Sequence, residues 1–437
     1  MCLMSVPLDR LYHYINDIAQ DIYGDPVIIY RFYPHGSKNI SDLQPLLNYS
    51  QNQQLTEWVI KNIRPVIWCN DQEPLDYDFY SKNFIVKPDD VFLSLLKSTG
   101  LHLPARNLNY RRQSIFKKNI LLHSEQRSDN VRKYQDDNEL IPVYYWSHAV
   151  IARDWFRYAE HVSQTKKPSK TFLIYNRAWS NTREYRLRFA ELLIHLNLQD
   201  RCKMSINPVE PELGIHYELH QFKNSIWRPQ TVLENFFPIN SACSSYSADF
   251  DIEDYETTDI EIVLETLFDD SRLHLTEKSL RPIACGQPFI LAGTYGSLEY
   301  LRSYGFKTFG DVWDESYDLV EDPAERLIQI AELMKYISRW LPHQREHNMA
   351  QAQAIADYNR QHFFSQTFSD QVIDELKTNL TLTFAEINDP TNCYLDHWTK
   401  FLSAPDIVNF ALTNQETQWP TKADLDYVSE LLKNKMQ

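Results

Sequence analysis

The strongest constraint in this 437-residue chain is the position of its few glycines. Five of the nine glycines fall within the 25-residue window from Gly286 to Gly310. Glycine is needed where the backbone turns through a positive φ or lies directly against a ligand. In this window the glycines separate an apparent helix, a strand and a second helix. We therefore expect a ligand-facing edge of an α/β sheet here.

Composition limits the size and the class of the protein. The chain is 43% hydrophobic and 13% aromatic, which is enough for two cores of ordinary domain size. It has no run of about 18 apolar residues, and its start lacks a signal-peptide pattern, so we expect a cytoplasmic protein without a membrane span. The six cysteines form no Cys-x-x-Cys pair, which argues against a disulfide framework and a zinc site. A net charge of −15 disfavours unspecific adhesion to nucleic acid or anionic membranes.

Short apolar runs alternate with helix-length segments and predict an α/β fold with parallel sheets. Four runs in the first half, PVIIY, PVIWC, NILLH and IPVYY, each end in polar residues. The polar segment 163–170 is the predicted linker, and after it the alternation restarts with TFLIY, CKMSI, DIEIVLETLF and QPFILAG. We therefore predict two Rossmann-like lobes, residues 1–165 and 171–375, and a helical C-terminal extension, residues 376–437.

The segment LTEKSLRP, just before the glycine window, predicts a phosphate site. Thr276 can cap a helix whose first turn carries Glu277 and Lys278, so that backbone amides and an ammonium face an anion. Pro282 would either kink this helix or move its start beyond Thr276. The alternative is a surface helix with a Glu277 to Arg281 ion pair.

A second anion-facing cluster is predicted after the strand QPFILAG. Gly293 and Gly296 bracket a turn there, and Ser297 can cap the helix that follows. A Gly-x-x-Gly spacing is weak evidence alone. Here the spacing supports an anion site because it comes directly after the end of a predicted strand.

Two arginines are further candidates for phosphate binding. Arg177 follows a strand end, where open α/β sheets bind ligands, and Arg183 lies at the start of the next helix. Either guanidinium can hold a phosphate by a bidentate contact. The alternative is that Arg183, Arg186 and Arg188 form a solvated helix face, which we favour for the latter two.

Candidate catalytic bases follow the strands of the first half. Asp71 and Glu73 come after RPVIWC, where a carboxylate can act as a general base, although a plain turn uses the same residue types. His35, His123 and His148 also follow strands and can line one cleft. For any single one of these histidines, we favour the alternative of a hydrogen-bonded structural residue.

One motif suggests a metal site. The triplet DFD at 249–251 is similar to a metal-binding Asp-x-Asp motif, but it lies in an acidic polar stretch. We interpret it as a solvated loop. We therefore expect no obligatory metal or cofactor.

Several of these motifs together resemble a known family. The Thr-Glu-Lys run at 276–278, followed by a short helix, an apolar strand and Gly-Thr-Tyr-Gly-Ser, resembles the nucleotide-binding lobe of two-lobed (GT-B) glycosyltransferases of the fucosyltransferase type, over about residues 171–365. The whole chain, with DQEPLDYD, YNRAW and GFKTFGDVWDESYD, looks like uncharacterised glycosyltransferases of bacteriophages. The resemblance implies that Glu277 contacts the ribose of a nucleotide sugar and that Lys278 and Arg177 contact its phosphates.

The reaction implied is transfer of a sugar from a UDP- or GDP-sugar to an acceptor hydroxyl, in a cleft between the two lobes. A base from the first lobe would take the acceptor proton. In a phage the acceptor can be a hydroxymethylated base of DNA, and the basic strip at 110–118 can follow a phosphate backbone. A glycan acceptor, a non-catalytic nucleotide- or sugar-binding protein and a structural virion component are the alternatives.

Overall fold

In a computed structural model, the chain divides into two units. The first, called here the N-terminal unit, contains the described residues within 8–124, 129–145 and 374–437. The second, called the central unit, contains those within 125–128 and 146–373. The structure describes residues 9–24, 28–31, 66–70, 73–75, 119–138, 141–161, 166–176, 178–204, 206–211, 213–233 and 250–388.

The N-terminal unit is built around a parallel sheet. Its four strands lie in the order β1-β2-β3-β4, and each pairs in parallel with the next. All four strands predicted from the apolar runs of the first half are confirmed. The elements are α1 (Asp9–Tyr23), β1 (Ile28–Arg31), β2 (Val66–Asn70), β3 (Asn119–His123), α2 (Asp129–Asn138) and β4 (Ile141–Tyr144).

The central unit contains a second parallel sheet and most of the described helices. Its α-helices and strands are α3 (Ser147–Trp155), β5 (Lys170–Ile174), α4 (Tyr185–His195), β6 (Cys202–Met204), β7 (Val209–Glu210), β8 (Ile215–His216), α5 (Ile252–Glu256), β9 (Thr258–Leu264), α6 (Glu277–Cys285), β10 (Phe289–Ala292), α7 (Ser297–Ser303), α8 (Pro323–Ser338), α9 (Pro342–Phe364) and the first part of α10 (Gln366–Asn388). Short 3₁₀ helices cover Arg157–His161, Asn181–Arg183, Gln199–Arg201, Tyr217–Leu219, Ser225–Trp227 and Ser316–Leu319.

The strand order of the central sheet fixes where a ligand can bind. The order is β10-β9-β5-β6, all parallel, while β7 and β8 form a separate hairpin. The chain therefore leaves β5 toward β6 on one side and later continues with β9 and β10 on the other side. Open α/β sheets bind ligands at such a reversal, outside the carboxyl ends of the strands. In this sheet the reversal lies between β5 and β9.

The core of the central sheet follows from its sequence. All seven residues of β9 are buried, and Val, Ile and Leu dominate its second half. Parallel strands that are buried on both faces are typically rich in Val, Ile and Leu. The α/β class with parallel sheets, predicted from these runs, is confirmed.

Some predicted boundaries differ from the structure. Helix α8 ends at Ser338, and α9 starts at Pro342, because proline is favoured in the first turn of a helix. Helix α10 already begins at Gln366, and residues 389–437 lie outside the described part of the chain. Residues 146–161, predicted as part of the first lobe, belong to the central unit. None of the described helices has the length and apolarity that a bilayer span requires.

The predicted linker is partly anchored. Of residues 163–170, the structure describes 166–170. The amide of Lys167 donates to the carbonyl of Glu256 at 2.8 Å, and the amide of Ser169 donates to that of Thr257 at 2.9 Å. The described part of this segment is therefore bonded to the turn between α5 and β9.

Candidate functional site

The buried carboxylate of Glu265, the residue after β9, joins this strand to the start of α6. It accepts hydrogen bonds from the amide and hydroxyl of Thr276 at 3.0 and 2.8 Å, and from those of Ser279 at 3.2 and 2.5 Å. The hydroxyl of Thr276 accepts from the amide of Lys278 at 3.3 Å. Helix α6 therefore begins directly after Thr276, as predicted. Its first amides are bonded to groups of the protein itself.

The ion pair considered as an alternative at this helix does not form. Arg281 pairs with Glu261 of β9 at 2.5 Å, and both side chains are buried. Pro282 lies inside α6, and the helix ends at Gly286, whose φ of 65° is left-handed. The proline thus neither delays the start of the helix nor terminates it.

Three of the predicted site residues meet at the start of α6. The ammonium of Lys278 lies 2.8 Å from Oε1 of Glu277, and Nδ1 of His148 lies 3.6 Å from Oε2 of the same carboxylate. The indole of Trp146 donates to the carbonyl of Leu275 at 3.0 Å, which holds the start of α3 beside α6. Residues predicted for the base and for the nucleotide are therefore neighbours within the central unit.

Solvent reaches these three residues to different extents. His148 is 1% exposed and Glu277 is 4% exposed, whereas the side chain of Lys278 is 15% exposed. The ring of His148 also contacts that of His274 edge-on, with ring centroids 5.2 Å apart. Lys278 is therefore the member of this group that a ligand can reach.

Arg186 is buried, so the prediction of a solvated helix face is wrong for this residue. Its guanidinium donates to the side chain of Asn176 at 2.8 Å and to the carbonyl of Ala178 at 2.6 Å, and also to the carbonyls of Leu264 and Glu265 at 2.6 and 3.1 Å. Burial lowers its pKa, because desolvation penalises the charged form. Arg186 thus ties the carboxyl ends of β5 and β9 together at the reversal of strand order.

The other predicted arginines have different surroundings. Arg183 is half-buried in the 3₁₀ helix before α4, and its Nε donates to the carbonyl of Ser180 at 3.3 Å. Arg188 pairs with Glu191 on α4. Arg177 lies outside the described residues. Arg183 is therefore the described arginine of this loop that remains a phosphate candidate.

Gly293 and Gly296 are required by the turn after β10. A Cβ at Gly293 would lie 2.9 Å from the hydroxyl of Ser297, and Gly296 has a left-handed φ of 79°. The predicted cap by Ser297 is wrong, because Gly296 occupies the cap position of α7 and the hydroxyl of Ser297 donates to the carbonyl of Thr294 instead.

Asp318 closes the start of α7. Its buried carboxylate accepts from the amide of Leu298 at 3.0 Å, and its carbonyl accepts from the amide of Gly296 at 2.8 Å. Helices α6 and α7 thus both have an internal carboxylate at their N-termini. Because these carboxylates already bond to amides at the starts of α6 and α7, we expect cationic side chains to bind an anion at this edge of the sheet.

Apart from His148, the candidate bases of the first half that the structure describes are Glu73 and His123, and both lie in the N-terminal unit. Glu73 is exposed just beyond β2, and its carbonyl accepts from the side-chain amide of Asn70 at 3.1 Å. His123 is buried at the end of β3 against the ring of Tyr144. Asp71 and His35 lie outside the described residues.

Sequence reasoning missed three charged residues at this edge of the central sheet. They are Glu265, Arg127 and the buried Arg326, whose guanidinium donates to the carbonyls of Gly293 and Phe268 at 3.1 and 2.6 Å. Burial lowers the pKa of Arg326 to about 10. Glu265 could have been predicted as a site residue, because it is a carboxylate that directly follows the apolar residues at the end of β9. The two arginines are distant in sequence from the loops that they contact.

Comparisons with known proteins give no assignment. No protein-family model, curated protein or solved structure matches the chain. The function is therefore argued from the residues at the carboxyl edge of the sheet.

The first testable prediction concerns Glu265. Replacing Glu265 with Ala removes the acceptor for three buried amides, those of Thr266, Thr276 and Ser279, and for two hydroxyls. Each unsatisfied buried group costs roughly 1–3 kcal/mol. We expect a loss of about 3–5 kcal/mol in the free energy of unfolding, measured by urea denaturation. The control is Glu299→Ala on the exposed face of α7, which should change stability by less than about 0.5 kcal/mol. Equal stabilities of the two variants would contradict the role of Glu265.

The second prediction concerns Asp318. Desolvation raises its pKa from the ordinary 3.8 to about 6. Between about pH 4 and pH 6, Asp318 is therefore protonated in the folded protein and ionised in the unfolded chain. The contribution of this group to the free energy of unfolding is fully present below about pH 4 and is lost as the pH rises through about 6. Two pKa units correspond to roughly 3 kcal/mol.

We therefore expect Asp318→Asn to gain stability relative to the unmodified protein between about pH 4 and pH 7, by up to about 3 kcal/mol. Urea unfolding at several pH values measures the difference. Glu299→Gln, on the exposed face of the same helix, should show a difference that does not change with pH. A flat difference for Asp318→Asn would refute the prediction.

Proposed function

We propose that the protein is a glycosyltransferase that binds a nucleotide sugar at the carboxyl edge of the central sheet and transfers the sugar to an acceptor hydroxyl. The observation that carries the proposal is the position of Lys278. Its ammonium is held by Glu277 at the start of α6, the helix that follows β9 beside the reversal of strand order. This is the part of an open α/β sheet where ligands bind.

Lys278 suits the charge that develops in such a reaction. An ammonium has three donors, and the described contacts of Lys278 use two of them, to Glu277 at 2.8 Å and to the hydroxyl of Thr276 at 3.3 Å. The remaining donor can contact a phosphate oxygen. A fixed cation beside the departing diphosphate stabilises the transition state by on the order of a few kcal/mol.

Glu277 contributes by position. Its carboxylate lies between Lys278 and His148, so it fixes the ammonium and the imidazole relative to each other. The family resemblance assigns to the same carboxylate a contact with the ribose. Both roles place the nucleotide against the start of α6, and neither requires a divalent metal.

The acceptor side is proposed to come from the N-terminal unit. Glu73 follows β2 and is exposed, so an acceptor hydroxyl can reach its carboxylate, whereas His148 is enclosed. Glu73 would then act as the general base if the reaction inverts the anomeric centre. The acceptor is a hydroxymethylated base of DNA or a glycan.

The third prediction tests the donor site. UDP-, GDP-, CMP- and dTDP-sugars are screened by thermal shift, and we expect one nucleotide to stabilise the protein. Lys278→Ala should weaken that binding about 10- to 100-fold, because a charge-assisted hydrogen bond contributes roughly 1.5–3 kcal/mol. The control is Lys335→Ala, which removes a lysine paired with Glu332 on α8 and should not alter binding. No shift with any nucleotide would contradict the proposal.

The fourth prediction tests the base. Glu73→Gln keeps the shape of the side chain and removes its basicity, so we expect kcat to fall about 10²- to 10⁴-fold with donor affinity unchanged. Release of the nucleoside diphosphate in the presence of hydroxymethylated DNA or glycan acceptors measures turnover.

The same assay distinguishes the acceptors, because a steep loss of activity with rising salt concentration would indicate DNA. Donor binding without turnover on any acceptor would indicate a non-catalytic binding protein.

A further inference from the structure

A four-residue segment, 125–128, is fixed to the loop that precedes α6. The amide of Gln126 donates to the carbonyl of Leu273, and the amide of Leu273 donates back to Gln126, both at 2.9 Å. Next to this bridge, Arg272 pairs with the buried Glu125 at 3.2 Å. Two hydrogen bonds and an ion pair therefore hold the segment in the central unit.

Arg127 has a strained backbone within this segment. Its φ is 55°, a left-handed value that costs energy for a residue with a Cβ. Such values persist where the surrounding structure enforces them, and they are enriched at ligand sites. The bridge between Gln126 and Leu273 fixes the backbone immediately before Arg127.

The side chain of Arg127 is held over the turn after β10. Its Nη2 donates to the carbonyl of Tyr295 at 2.6 Å, and its guanidinium carbon lies 4.2 Å from the centre of the Tyr295 ring. A Cβ at Gly296 would lie 3.7 Å from its Nη1, so the glycine turn and the guanidinium are direct neighbours. The charge is thereby fixed at one place.

This charge is not neutralised within the part of the chain that the structure describes. No described carboxylate forms an ion pair with Arg127, and the residue is exposed. A guanidinium has five N–H donors, and the described hydrogen bonds of Arg127 use one of them. A fixed, exposed cation with free donors is suited to binding an anion from solution.

We propose that Arg127 binds the diphosphate of the nucleotide sugar, together with Lys278. This inference rests on the proposed function. The turn under Arg127 follows β10 and Lys278 follows β9, and these two strands are paired in parallel, so both cations lie beyond carboxyl ends of neighbouring strands. The planar fork of a guanidinium matches the oxygens of a phosphate. Internal carboxylates already occupy amides at the starts of α6 and α7, so these cations would provide the anion recognition.

The test is isothermal titration of UDP, GDP, uridine, guanosine and inorganic pyrophosphate. We expect Arg127→Gln to weaken the nucleoside diphosphate about 10- to 100-fold and to leave the nucleoside unchanged, because only the diphosphate carries the charge. The matched control is Arg132→Gln, an exposed arginine on α2, which should leave all five ligands unchanged. The affinity for inorganic pyrophosphate should fall by a similar factor to the affinity for the nucleoside diphosphate.

Arg127→Gly separates binding from folding. Glycine tolerates the left-handed φ, so we expect an unchanged or higher Tm together with the same loss of diphosphate affinity. Two results would overturn this inference and leave the proposed function standing. In the first, Arg127→Gln binds the nucleoside diphosphate as tightly as the unmodified protein does. In the second, Arg127→Gln loses as much affinity for the nucleoside as for the nucleoside diphosphate. Absence of nucleoside diphosphate binding to the unmodified protein would overturn the proposed function and this inference together.

Discussion

The carboxyl edge of the central sheet depends on one buried residue, Glu265. Its amide donates to the carbonyl of Ala292 at the end of β10, and its own carbonyl accepts from the hydroxyl of Tyr185 at 2.7 Å and from Arg186. Its carboxylate caps α6 through Thr276 and other donors. One residue therefore connects a strand end, a neighbouring strand and two helices. A buried carboxylate is stable here because its oxygens accept several hydrogen bonds.

Two buried arginines also stabilise the carboxyl edge of the central sheet, and they do so by hydrogen bonds to main-chain carbonyls. Arg186 and Arg326 donate mainly to main-chain carbonyls of the loops after β5, β9 and β10. Carbonyls at loop ends have no ladder partner, and a guanidinium can satisfy several of them at once. The buried charges thereby fix loop shape rather than bind ligand. Lys278 and Arg127, in contrast, carry charges that a ligand can reach, and each keeps N–H donors that its described contacts do not use.

The sequence predicted the elements of this site better than its contacts. The buried strands follow from runs of Val, Ile and Leu, and the start of α6 follows from Thr276, because these signals are local. Arg186 was misjudged because a helix face rich in arginine appears solvated until the tertiary fold covers it. Arg127 could not be found at all, since its role depends on a bridge to Leu273, far along the chain. The caps supplied by Glu265 and Asp318 are likewise tertiary.

The internal caps have a consequence for catalysis under the proposed function. An amide cradle at a helix start would bind the diphosphate both before and after transfer, and tight product binding slows turnover. Because Glu265 and Asp318 bond to amides of α6 and α7, the diphosphate would depend on cations carried by side chains. These cations are already held in place, Lys278 by Glu277 and Arg127 by the carbonyl of Tyr295, so they can stabilise the charge that develops on the leaving group without reorganising. Under the proposed function, the contribution of these cations to the rate is therefore the preorganised electrostatic stabilisation of the leaving group in the transition state.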